Sequence, residues 1–549
     1  MKSKLLLFCT VLVLGSFLRF WQLGNVPAGL NLDEVSQGYN AHSLLETGKD
    51  RYGKAFPILF KLFNTYQAPV YTYLTVIPVA IFDLSILSVK AVSAVSGVTV
   101  VIFTFLILNL VQSREKNNLS LIASLILAIS PWAVFFSRVG TEASPSLALF
   151  MVGFFLCLKS VKKLKLFPLA TLFLGFATHA YYSERIVSLL FLLGFVFIHR
   201  EELTKNKKWL LLGLLVFALT QIPHLAILKS GAFSRRLEQV TYLDSVSFEK
   251  HGSSLKSVPF GRAIFVVREF AGQYLAYFSP RNLFFEPDDQ PARSIPDLSV
   301  FYNWMIVPFL VGLSYIIKKR KDFFVRNLAL LIFIAPIPAA LSTDPFYSLR
   351  TQVLLWGLSI VVSIGVWGVL VKIRSKNLRI LLFFSLLIFS LTVFYIHYFV
   401  LYRVERANTV GFSNIELINI TEENSDKKYV VDFSRDIAVG LRFAFFRKYD
   451  PSRFQREIGN KFLQKYYTSI DHEQSYIIEN VEVRPISWRE DICKEQVLVG
   501  DPLAISEDQA KEHKLELEFE LKDMEGRVSY RGYSTSPGEK CLTSKIRVY

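Results

Sequence analysis

TQVLLWGLSIVVSIGVWGVLV, residues 351–371, runs from end to end without a charged side chain. A helix of that length spans a hydrocarbon core of about 30 Å. A soluble helix would instead alternate buried and exposed faces at helical spacing. Residues 91–111, 119–136, 209–226 and 380–401 read the same way. The whole chain of 549 residues is 52% hydrophobic and holds 48 Phe. Length alone would suggest several soluble domains, but this composition points to a polytopic α-helical membrane protein.

Positive charge sets the direction of the route. Cytoplasmic loops accumulate Lys and Arg, and the basic residues cluster between apolar runs: Lys2 and Lys4, Arg114 and Lys116, Lys159 to Lys165, Lys205 to Lys208, Lys318 to Lys321, and Lys372 to Arg379. Placing these inside gives about eleven spans with the N-terminus in. The first span, 5–22, ends on Arg19, Phe20 and Trp21 rather than on a small-residue cleavage site, so it reads as an uncleaved anchor. Residues 68–87 are interrupted by Pro69, Pro78 and Asp83 and suit an interfacial helix better than a span. The net charge of +16 is explained by topology, with no basic face or aromatic platform for nucleic acid.

The resulting division is a transmembrane domain, 1–402, with outer loops 23–90 and 227–297, and a soluble extracytoplasmic α/β domain, 403–549. In the tail, 428–433, 475–483 and 516–521 read as strands and 438–446 as a helix. Cys493 and Cys541 both lie there and could pair outside the cytoplasm, though sequence does not fix their distance. Cys9 and Cys157 sit in spans.

Charged and polar residues collect at the outer ends of the spans. Asp33 and Glu34 follow the first span. One carboxylate could accept a proton from an attacking hydroxyl, its pKa tuned by the other; the competing reading is Asp33 as a helix N-cap. Arg138 and Glu142 form a second group, where Arg138 suits phosphate or simply snorkels. The third is the turn His179, Tyr181, Tyr182, Glu184 and Arg185, either an aromatic belt or a headgroup site. Arg350 has the same two readings, and Lys61, Arg235 and Arg236 are weaker candidates. No metal-ligand spacing and no Gly-rich phosphate loop is present. Polar groups at a membrane boundary are default site candidates, and this set suggests group transfer from a phosphorylated lipid. A transporter or flippase of envelope lipids or polysaccharides is the alternative, although no paired halves are evident.

Several stretches resemble the polytopic glycosyltransferases of GT-C fold, in the protein O-mannosyltransferase and aminoarabinose-transferase group (family 39-like, bacterial type). They are Asp33-Glu34 with Gly38-Tyr39-Asn40, Gln67-Ala68-Pro69-Val70-Tyr71, Ser130-Pro131-Trp132 through Arg138 and Glu142, Tyr181 to Arg185, and Pro336 to Leu341 through Arg350. The similarity runs over roughly residues 5–400. It implies an inverting glycosyltransferase in the plasma membrane, taking a sugar from a polyprenyl-phosphate donor to a protein, lipid or glycan acceptor outside the cytoplasm. By the same resemblance Asp33 is the base, Glu34 supports it and Glu142 is the second acidic partner. Arg138, Arg185 and Arg350 would bind the donor phosphate, and Tyr39, His179, Tyr181 and Tyr182 would contact substrate. No resident cofactor is implied; a divalent cation is left open.

Overall fold

The computed structural model describes residues 2–111 and 118–545; Arg114 and Lys116 of the expected inner turn lie outside them. The chain forms two compact units. One comprises Met1–Leu23, Thr65–Tyr71 and Lys90–Val400, the other Gly24–Asn64, Thr72–Val89 and Leu401–Tyr549. The expected division at residue 402 left the first outer loop with the spans. By its contacts most of that loop packs with the tail instead.

The first unit is helical. Among the described residues, seven helical segments are long and apolar enough to cross a membrane: Ser3–Phe20, Ile86–Val111, Ala143–Ser160, Arg200–Ile227, Phe323–Leu341, Ser348–Lys372 and Lys376–Glu405. Pro69–Phe82, Leu119–Ile129, Leu164–Ala180 and Asn303–Lys318 are shorter apolar helices. The helices Ile306–Lys318 and Gln352–Lys372 pack closely side by side. A Cβ on Gly312 would stand 1.9 Å from the Val361 carbonyl oxygen, and one on Gly365 1.7 Å from that of Pro308. Only glycine lets these backbones approach, and in lipid such packing replaces the hydrophobic drive.

The run 119–136, expected as one span, is two helices, Leu119–Ile129 and Pro131–Phe136, with Ser130 extended between them. Pro131 has no N–H, so the Leu127 carbonyl loses its i+4 donor. The Trp132 N–H turns away to the Val300 carbonyl, at 3.4 Å, which frees Ala128 as well. Arg19, at the end of the first helix, fills both vacancies: it donates to the Leu127 and Ala128 oxygens, each at 3.1 Å, and to Ser137 Oγ at 3.2 Å. Tyr302 Oη donates to the Ile129 carbonyl at 2.9 Å. Away from water every backbone polar group needs such a partner, and here side chains supply it.

The second unit is built on a six-stranded sheet. Two short strands precede it in the chain, β1 (Phe60–Leu62) in this unit and β2 (Thr65–Gln67) in the helical one. The sheet strands are β3 (Tyr429–Val431), β4 (Tyr476–Ile478), β5 (Val481–Val483), β6 (Val497–Gly500), β7 (Glu516–Lys522) and β8 (Val528–Ser534), in the order β4-β5-β3-β6-β8-β7. Central β3 runs parallel to both β5 and β6; the other pairs are antiparallel. The region 475–483, expected as one strand, is a β4–β5 hairpin that turns at Glu479 with φ 53°. Strand β3 is apolar at every position because both faces are covered: Tyr429 and Val431 join one core, Val430 the other. The larger core also takes Leu30, Val35, Tyr39 and Ala41 of the first loop, with Val439 to Phe445 of the tail helix Val439–Phe446. Cys493 and Cys541 form a disulfide with their Cα atoms 5.6 Å apart, a separation typical of such bonds.

Candidate functional site

In the helical unit, the segment 65–71 is the strip on which several expected residues converge. Glu142 Oε1 accepts the Ala68 N–H at 2.8 Å, and Tyr182 Oη donates to the Tyr66 carbonyl at 2.8 Å. Tyr71 Oη and Ser93 Oγ lie 3.1 Å apart, and Ser93 Oγ accepts the Thr141 N–H at 3.3 Å. Pro69 opens the helix Pro69–Phe82, where its missing N–H costs nothing. The loop carrying Glu142 and the turn carrying Tyr182 are thus both fixed to the same extended backbone.

Positive charge surrounds this strip. The guanidinium of Arg185 lies 4.4 Å from the Tyr182 ring centre and 4.5 Å from that of Phe233, and it donates to the Phe233 carbonyl. Cation–π stacking of this kind holds a charge in place without neutralising it. The charges of Arg185, Glu142 and Arg236 all act on the Tyr182 hydroxyl, and those of Arg350 and Arg236 act on Tyr181. Arg350 stacks on Tyr347 at 4.0 Å. The far side of that ring system is tied down by Arg293, 3.5 Å from the Tyr347 centre, which pairs with Asp288 at 2.9 Å. Asp288 in turn accepts from Ser348 N and Oγ at 3.1 and 2.8 Å. Glu142, Tyr181, Tyr182, Arg185, Arg236 and Arg350 therefore form one neighbourhood.

Two expected members of that set are engaged elsewhere. Arg138 is fully buried. Its Nη1 donates to the Leu18 and Arg19 carbonyls at 2.9 and 3.2 Å, its Nη2 donates to that of Gln22, and its charge lies over the Tyr398 and Phe399 rings. In this arrangement it ties the segment 137–142 to the end of the first span. His179 stacks on His224 at 3.9 Å, with Nε2 2.6 Å from the Thr220 carbonyl. That bond joins helix Phe167–Ala180 to helix Lys207–Thr220.

Asp33, Glu34 and Tyr39 lie in the other unit, on the helix Leu32–Thr47. The N-cap is Asn31, not Asp33. Asn31 Oδ1 accepts the Glu34 N–H at 3.0 Å and Glu34 Oε2 accepts the Asn31 N–H at 2.8 Å, a reciprocal capping box. Glu34 is buried in that role while Asp33 is exposed, so the adjacent carboxylates have separate environments. Tyr39, expected to contact substrate, is fully buried, donates its hydroxyl to the Tyr449 carbonyl at 2.8 Å and packs on Phe454. Its surface is used up by the core. Lys61 likewise donates to the Ser469 carbonyl of the tail.

Sequence reading underrated Arg236 and missed Arg293 and Asp288, which sit in the second long loop without a local motif. Their partners, Tyr347 and Ser348 for the Arg293–Asp288 pair and the Tyr181–Tyr182 turn for Arg236, lie far off in sequence. Among the described residues, no group of three His, Cys, Asp or Glu side chains is placed to hold a metal ion.

Residues 66–227 match the family model described as dolichyl-phosphate-mannose-protein mannosyltransferase. In fold, the chain is similar to ArnT from Cupriavidus metallidurans in the apo state, with TM-score 0.54 at 11% identity and 98% of each chain covered. ArnT bound to undecaprenyl phosphate gives TM-score 0.51 at 12% identity, covering 97% of this chain and 98% of that one. The oligosaccharyltransferase of Archaeoglobus fulgidus is similar at TM-score 0.46 and 12% identity over 80% of this chain, which spans 61% of its length. No curated protein matches in sequence. The chain shares its fold with ArnT, the GT-C fold that the resemblance implied.

Proposed function

We propose that this protein is an inverting glycosyltransferase that moves a sugar from a polyprenyl-phosphate donor to an acceptor on the extracytoplasmic face. The observation that carries the reading is the neighbourhood of Arg185, Arg236 and Arg350 with Glu142, held by the strip at 65–71 where the family match begins. Guanidinium groups held on aromatic faces keep their charge available for an oxyanion, and a departing lipid phosphate is such a group. The ArnT structure bound to undecaprenyl phosphate supports a lipid-phosphate donor.

In this scheme the Asp33 carboxylate takes the proton of the acceptor hydroxyl as that oxygen attacks the anomeric carbon. The bond from that carbon to the phosphate oxygen breaks on the opposite face, and polyprenyl phosphate departs. Arg185 and Arg350 offset the charge that builds on it; Glu142 orients the site through the backbone at Ala68. The Cys493–Cys541 bond supports an oxidising, extracytoplasmic side for the tail, consistent with about eleven spans and an inner N-terminus. Asp33→Asn tests the base: transfer from the membrane lipid fraction should fall by about 10²–10⁴ with folding intact, and full activity would refute the role.

A further inference from the structure

The helix that carries Asp33 is held by residues made roughly four hundred positions later. Its middle is buried from Glu34 to Ala41. At Gly38 a Cβ would stand 2.5 Å from the Phe445 ring, so the tail helix rests directly on the backbone. Further along, Gln455 Nε2 donates to Ser43 Oγ, Thr47 Oγ1 and the Asp50 carbonyl at 3.1, 2.8 and 3.0 Å.

A further tie is electrostatic. Past the Gly48 cap the chain doubles back, and the Arg51 side chain returns along the helix: its Nη1 donates to Ser36 Oγ at 2.8 Å, and its backbone N–H to Asn40 Oδ1 at 3.1 Å. Ser36 is one turn from Asp33 on the same side of the helix. Arg51 Nε lies 3.4 Å from Glu473 Oε1 of the tail, with both side chains wholly buried. Beside it Asp50 accepts the Tyr466 hydroxyl, which itself accepts the Lys61 N–H at 3.0 Å. A buried pair of this kind adds little stability over an apolar one, and fixing one register is its best-attested use.

We infer that the tail is the positioning element of the proposed base, with Glu473 acting through Arg51 and Tyr466 through Asp50 to set the helix Leu32–Thr47. The inference rests on the reading of Asp33 as the base. These are positioning residues; neither touches substrate. The tail is then part of the catalytic apparatus rather than an appended module.

The test uses Glu473→Gln and Tyr466→Phe in the full chain, with three measurements. Hydrogen exchange at the amides of 35–41 should quicken at least about tenfold. Turnover per folded molecule, read as sugar leaving the lipid fraction of isolated membranes, should fall by about 10- to 100-fold, the scale of a small misplacement. Binding of undecaprenyl phosphate should not change, and Glu473→Asp should recover part of the turnover. A purely structural role would lower yield while leaving turnover per molecule untouched. If Glu473→Gln fails to fold, Tyr466→Phe, which removes only a hydroxyl, decides. Unchanged exchange and turnover overturn the inference whatever Asp33→Asn does. Faster exchange and lower turnover alongside an active Asp33→Asn sustain the clamp and refute only the base.

Discussion

Replacing Arg19 with Met removes the donors that satisfy the broken helix at Pro131 while keeping an apolar stem of similar reach. The Leu127 and Ala128 carbonyls, each 3.1 Å from the guanidinium, are then left without a partner. A hydrogen bond between membrane helices averages about 0.6 kcal/mol and reaches about 1.7, so two of them give a loss of roughly 1–3 kcal/mol. Reversible unfolding in mixed micelles measures it. The sharper test is a double-mutant cycle with Pro131→Ala. Residue 131 then regains an N–H able to reach the Leu127 oxygen, so Arg19→Met should cost about 0.6–1.7 kcal/mol less in that background. Penalties that simply add, within about 0.4 kcal/mol, would show that Arg19 does not replace the donor proline lacks.

Glu142→Ala removes the acceptor of the Ala68 N–H; transfer should drop by about 10- to 100-fold as the strip loses its anchor, and undiminished transfer would remove Glu142 from the site. Burial, working against hydrogen bonds from Tyr466 and the backbone of Lys54, pushes Asp50 up from 3.8 to about 6. The folded state therefore binds the extra proton. Its contribution, at most about 3 kcal/mol, is complete below pH 4 and lost as pH rises through about 6; Asp50→Asn should flatten that profile in tail unfolding. Reducing the Cys493–Cys541 bond, which closes a loop 48 residues apart in sequence, should destabilise the tail by about 4 kcal/mol on the chain-entropy relation, read by urea unfolding with and without thiol.

What the sequence displayed depended on the range of the contacts involved. Apolar runs and the alternation at β7 are local, so the spans and the tail strands were readable. The break at Pro131 was present in the letters, but the donor that makes it tolerable, Arg19, lies more than a hundred residues away. The resemblance put Tyr39 against substrate; its partner in the core, Tyr449, lies 410 residues away. At the Asp33–Glu34 pair the cap expected on Asp33 falls on Asn31, which Glu34 closes. The division of labour between them, Glu34 capping and Asp33 exposed, follows from which residue the helix begins after. Arg236 carries charge to the tyrosine turn through a loop with no motif at all.

The shared core of the first loop and the tail also fixes an order of events in the making of the molecule. The stretch holding Asp33 leaves the ribosome early, yet its packing partners from Val439 onward are still to come. At about 5–20 residues per second, roughly 20–80 s separate them. During that interval every span up to residue 400 can be inserted while the Asp33 helix waits without a core. The first loop and the tail meet late, so a chain stalled before the tail would carry membrane helices and a proposed base without its core. Synthesis of the tail is then the step that holds the proposed base in place.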